Sequence, residues 1–88
     1  MYKVGLTTYA GRKAKKLKGQ DKIDFEDVIL RLKNDPFDSK LKSHKLTGRA
    51  DGAWSCRMNY SDRVIFVFVI TEEKEVTIID LGSHDEVY

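Results

Sequence analysis

The sequence is poor in the residues that lock or interrupt a chain, with one cysteine, one proline and one tryptophan in 88 residues. The single thiol, Cys56, excludes an internal disulfide, and no Cys/His cluster has zinc-ligand spacing. No cofactor and no metal are therefore expected. Cys56 falls in a strand-like stretch and reads as a buried thiol rather than a nucleophile. No run approaches the ~18 apolar residues of a membrane helix, so a helical span and a membrane partner are excluded. The opening "MYKVGLTTYAGRKAKK" has no apolar stretch followed by a small-residue cleavage site, so a cytoplasmic location is expected. With 41% hydrophobic and 34% charged residues, the composition is that of an ordinary globule. Its length allows one domain, residues 1–88, that buries roughly 60–65% of its surface on folding.

Acid is scarce in the first part of the chain. Residues 1–63 hold 15 Lys/Arg against 8 Asp/Glu, whereas residues 64–88 hold 1 against 6. The formal charge of +2 hides this segregation. A basic field attracts phosphates or an acidic partner and speeds encounter with either. A lysine-rich helix that serves only solubility has the same composition, so charge alone does not choose between them.

The first stretch, "YKVGLT", alternates weakly and suits a short strand. "TTYAGRKAKKLKGQ" supplies a Thr cap, Ala and Lys as helix formers, and Gly19 as a stop. Tyr9, Ala10, Ala14 and Leu17 would form its inner stripe. Arg12, Lys13, Lys15 and Lys16 would point outward as a basic face, to which Lys18 adds. In "DKIDFEDVILRLKNDP", leading acids, a 3.6-residue recurrence of Phe25, Val28, Ile29 and Leu32, and Pro36 as terminator predict a second helix. So short a link predicts a helical hairpin. "PFDSKLKSHKLTGRADG" lacks a period and reads as a loop with room for a helical turn. "AWSCRM", "RVIFVFVI" and "EVTIID" read as an antiparallel meander whose apolar middle run is the central strand, covered on both faces. The expected class is α+β, an N-terminal helical hairpin packed on a twisted antiparallel sheet of about four strands. Gly82 ends the last strand and leaves "GSHDEVY" as a short exposed tail.

Three ionisable side chains break the apolar logic of the sheet: Arg57, Arg63 and, beyond it, His84. Alternation places Arg57 opposite Trp54, Cys56 and Met58, and antiparallel pairing can bring the arginines to one face. Such a set suits RNA cleavage by the adjacent 2′-hydroxyl, which needs a base, a cation for the phosphorane charge and an acid for the leaving oxygen. Histidine titrates near neutrality, arginine holds phosphate in a fork, and tyrosine stacks or donates a proton. No metal is required. His44 in "KSHKLTG" is a second candidate. Trp54, on an alternating strand, reads as core.

In its order of elements, and above all in "HKLTG" followed by a tryptophan strand and the closing "GSHDEVY", the sequence resembles the RelE/ParE superfamily of bacterial toxin–antitoxin toxins. It is most similar to RelE- and YafQ-like messenger-RNA interferases. The resemblance covers nearly the whole chain and implies a ribosome-dependent endoribonuclease that cleaves messenger RNA in the A site. It also implies a cognate antitoxin, the ribosome and messenger RNA as partners. By the same resemblance His84 and Tyr88 match the terminal histidine and aromatic, His44 the histidine before the Leu-x-Gly turn, and Asp62 the aspartate before the central strand. Arg63 matches the strand arginine and Arg57 the arginine of the W-x-x-R strand. The sequence departs from the YafQ-like pattern in having Asp80 at a basic position and Arg57 near a histidine position. A ParE-like toxin that binds DNA gyrase is the alternative on the same fold. The terminal histidine and tyrosine favour the nuclease, and the tail is expected to turn back so that both face Arg63.

Overall fold

The computed structural model covers residues 1–88. Strand β1 (Lys3–Leu6) leads into helices α1 (Thr8–Lys15) and α2 (Gly19–Asn34). Strands β2 (His44–Lys45), β3 (Trp54–Arg57), β4 (Asp62–Ile70) and β5 (Lys74–Ser83) follow, and α3 (His84–Val87) ends the chain. The sheet has the order β1-β5-β4-β3-β2, which makes β4 central as its composition predicts. This is the expected α+β architecture with one strand more, the two-residue β2, and with β1 paired parallel to β5 at one edge.

Helix α1 starts where Thr7 caps it, its hydroxyl accepting the Ala10 N–H at 3.1 Å. It ends sooner than its lysines predict. The N–H groups of Lys16 and Leu17 reach back only three residues, to the carbonyls of Lys13 and Ala14, which tightens the last turn. Gly19, at φ 58°, opens α2 instead of closing α1. That left-handed backbone is open to glycine at little cost. Tyr9, expected inward, is 59% exposed.

The core lies between the helices and one sheet face. Ala10 of α1 and Phe25, Val28 and Leu32 of α2 meet Cys56, Val64, Phe66, Val76, Ile78 and Leu81. Trp54, Met58 and Phe68 pack against this cluster, so Trp54 and Cys56 are core residues. Burial pushes the Cys56 thiol up to about 12, leaving it inert as a nucleophile. The second face carries a smaller cluster of Ala53, Ile65 and Val87, flanked by Leu46, Val67 and Ile79. Strand β4 thus feeds Val64 and Phe66 to one side and Ile65 to the other, as its unbroken apolar run requires. An irregularity opposite Ile65 and Phe66 leaves Ile79 as an extra residue in β5.

What covers the second face is the segment expected to be a free tail. Ser83 caps α3 by accepting the Glu86 N–H, and the Glu86 carboxylate accepts the Ser83 N–H at 3.0 Å. These bonds hold the Glu86 carboxyl below its ordinary range. Gly82 makes the turn possible: its φ is 147°, and a Cβ there would meet the Glu86 carboxylate at 3.2–3.3 Å. Val87 is then buried against the sheet. The reciprocal cap, invisible to an apolar-periodicity reading, satisfies the backbone N–H groups that open α3.

Candidate functional site

Cross-strand neighbours share a sheet face, and the register places four polar residues together. His44 pairs with Ser55, Ser55 with Ile65, and Arg57 with Arg63. Because Ile65 belongs to the cluster beneath α3, the set lies on the face turned away from α1 and α2. Lys42, His44, Arg57 and Arg63 line a cleft of about 350 Å³ with no apolar side chain and no carboxylate in its wall. Neither arginine is in an ion pair.

Two adjacent guanidiniums repel, and backbone carbonyls hold them instead of acids. The Asn59 carbonyl accepts from Arg57 Nε at 3.4 Å and Arg63 Nη1 at 3.2 Å, and the Asp62 carbonyl accepts from Arg63 Nη1 at 3.0 Å. These contacts occupy a fraction of the five N–H donors on each guanidinium, leaving the rest for an anion. The Asn59 side chain fixes the turn. Its Oδ1 accepts the N–H groups of Ser61 (3.1 Å) and Asp62 (2.9 Å), and its Nδ2 donates to Asp24 (3.1 Å) and Asp21 (3.4 Å) of α2. Sequence reasoning missed Asn59. The Asn-x-Ser-Asp spacing of an Asx turn between two strands was the available signal.

The opposite wall comes from the loop before β2. Leu41 is buried and its carbonyl accepts the Arg57 N–H at 2.6 Å, which ties the loop to β3. Lys42 turns the chain with a left-handed φ of 50°. Its carbonyl lies 3.2 Å from His44 Nδ1. A carbonyl only accepts, so Nδ1 is the donor in this contact and Nε2 is the ring nitrogen left without a protein partner.

His84 and Tyr88 sit apart from that lining. Their rings meet edge to face, with centroids 4.2 Å apart, and His84 Nδ1 is 3.7 Å from the Asp85 carboxylate. The Tyr88 hydroxyl donates to Ser55, whose side chain is fully buried between His44 and Ile65 in the register. The tail turns back over the sheet, but Ser55 and not Arg63 receives the tyrosine. Asp62 is on the other side. It alternates with Arg63 along β4 and lines a separate cleft of about 380 Å³ with Lys13, Lys16 and Asp21.

Of the expected basic helix face, Arg12, Lys15, Lys16 and Lys18 are exposed. Lys13 is not outward: its ammonium bonds Asp80 at 2.7 Å in a half-buried pair. Burial acts against the Lys13 charge, but the hydrogen bond and the attraction of Asp80 outweigh it and raise its pKa. The acid at position 80, the point of departure from the YafQ-like pattern, is thereby accounted for. No three His, Cys, Asp or Glu side chains are grouped to hold a metal ion, and no helix is long and apolar enough to cross a membrane.

No protein-family model and no curated protein sequence matches this chain. Solved structures do. A YoeB/ParE toxin from Agrobacterium tumefaciens superposes with a TM-score of 0.77 at 21% identity, over 93% of this chain and 98% of that one. The archaeal RelE–RelB complex from Pyrococcus horikoshii gives 0.75 at 21% identity over 93% of each chain. YafQ from E. coli gives 0.76 at 13% identity over 100% and 99%. The chain has the RelE/ParE-like toxin fold.

Proposed function

We propose that the protein is the toxin of a toxin–antitoxin pair and an endoribonuclease that cleaves messenger RNA in the ribosomal A site. The observation that supports this reading is the convergence of Lys42, His44, Arg57 and Arg63 on one open cleft without a compensating carboxylate. Such a wall favours a dianionic phosphorane over a monoanionic phosphodiester, and only that difference accelerates a reaction.

In this mechanism Arg57, Arg63 and Lys42 hold the scissile phosphate. His44 Nε2 takes the proton from the 2′-hydroxyl, whose oxygen forms a bond to phosphorus as the bond to the 5′ oxygen breaks. The leaving 5′ oxygen takes a proton from the α3 side, where His84 and Tyr88 stand. A 2′,3′-cyclic phosphate and a 5′-hydroxyl result. Arg12, Lys15, Lys16 and Lys18 track ribosomal RNA phosphates without reading bases, a contact that weakens steeply with salt. The antitoxin is expected to be acidic and to mask the basic cleft.

Cleavage of messenger RNA on programmed ribosomes, with purified folded protein, tests the activity. Expected is a cut within the A-site codon that leaves a cyclic phosphate. Pulse labelling after induction separates the two toxin classes: methionine incorporation should fall before thymidine incorporation. The reverse order would identify a gyrase poison of the ParE kind and overturn the nuclease.

A further inference from the structure

The basic cleft continues past Arg57. A second cleft of about 320 Å³ adjoins it and shares both Lys42 and Arg57. The two differ in chemistry. Where the first has no apolar lining, the second has Val28, Leu41 and Met58 as its floor. Its rim includes Arg31, Asp27 and Lys40, but Arg31 is already committed. Its Nε donates to Asp27 at 2.7 Å and its Nη1 to Asp38 at 3.2 Å, a trio of net charge −1 that leaves Arg31 unavailable to a ligand. Lys40, Lys42 and Arg57 remain as cations without an acidic partner. Lys40 and Lys42 flank the buried Leu41, and the segment is held in place from both ends. The Lys40 N–H donates to Asp38 Oδ1 at 2.8 Å, and Leu41 accepts from β3.

A fixed apolar floor between a phosphate cleft and two free ammonium groups suits a flat, charged ligand that continues from the first cleft. We propose that this second cleft is a nucleotide subsite for the residue flanking the scissile phosphate of the same RNA strand. Its base lies against Met58, and its own phosphate lies at Lys40 and Lys42. The inference rests on the first cleft being the phosphate site. An apolar floor holds any base by its face, so this position contributes affinity and register with little base preference.

The test uses three probes on the full chain: inorganic phosphate, a single 2′-deoxynucleotide, and a trinucleotide with 2′-deoxyribose at the scissile position and 2-aminopurine beside it. Binding is measured across a salt series for wild type, K40A, M58E and R63A, with circular dichroism confirming that each variant is folded. K40A should weaken trinucleotide binding several-fold and lower its salt slope by about 0.7, the value of one single-strand phosphate contact. It should weaken inorganic phosphate binding far less than R63A does. M58E should abolish the fluorescence change of 2-aminopurine. R63A should weaken all three probes. If K40A and M58E bind the trinucleotide like wild type while R63A does not, the subsite is wrong and the phosphate cleft stands. If R63A binds all three normally, the phosphate cleft itself falls and the subsite with it.

Discussion

The two faces of the sheet are made by the same strands and obey different rules. On the face under α1 and α2, positions such as Val64, Phe66, Val76 and Ile78 are fully buried and interchangeable only with residues of similar volume. On the other face, a single strand step away, Arg57 and Arg63 stand side by side where packing has no use for either. The first face is chosen by stability. The second retains a like-charge pair that costs stability, which is the pattern expected where binding sets the residue.

The largest effects should dissociate completely between the faces. Phe66→Ala should lower unfolding free energy by about 3–5 kcal/mol, while whatever remains folded keeps its specific activity. Arg63→Ala should lower cleavage by roughly 10²–10⁴-fold through lost charge stabilisation, with less than about 1 kcal/mol change in stability. Denaturation curves beside single-turnover cleavage rates make the comparison. Equal losses in both columns for both variants would erase the distinction.

Next come the histidines, which sharpen the second face. His44→Gln and His84→Gln each preserve hydrogen bonding and remove proton transfer, an effect of roughly 10²–10⁴-fold at a site of general catalysis. His44→Gln should lower the cleavage rate while leaving KM for RNA close to wild type. A His84→Gln enzyme that cuts at the wild-type rate would leave α3 as a cover for Ile65 and nothing more.

Smaller again is the coupling between faces. Asn59→Asp keeps the turn-forming acceptor but sets a carboxylate against Asp21 and Asp24, and should raise KM for RNA by about tenfold, or ~1.4 kcal/mol. Adding Asp24→Asn restores a donor to the pair and should recover most of that loss. Tyr88→Phe strips the buried Ser55 hydroxyl of its partner and should cost about 1 kcal/mol of stability.

The smallest effects are at the pH extremes. The Glu86 pKa is depressed in the folded state, so its contribution is present above about pH 4.5 and is lost as pH falls through the folded value. Lys13 is shifted upward, so its contribution is present below about pH 10.5 and is lost as pH rises further. Thermal melts of Glu86→Gln should lose part of the acid limb alone, and those of Lys13→Gln part of the alkaline limb alone.

What was legible in the sequence follows the same division. Phe25, Val28 and Leu32 announce their helix by period, and the apolar run of β4 announces a strand covered on both faces. Those signals are dense because packing repeats every few residues. The arginines were legible as exceptions to that repetition. Asn59, Ser55 and the reciprocal cap of Ser83 and Glu86 act through single hydrogen bonds whose partners depend on the finished fold. Asp62 shows the converse limit: resemblance selected it, while strand alternation turns it away from Arg63.

Lys42 gives one further consequence, for the fate of the gene rather than of the molecule. A non-glycine residue in its left-handed conformation costs roughly 1–2 kcal/mol. Glycine would relieve this but would enlarge the unfolded ensemble by about 0.4–1 kcal/mol. The relief is the larger of the two, so stability alone favours glycine over lysine at this position. In a lineage where the activity is no longer selected, Lys42 is accordingly among the first residues free to drift. In a thermostability screen it is a place where a glycine variant is enriched while the anion cleft loses a charge.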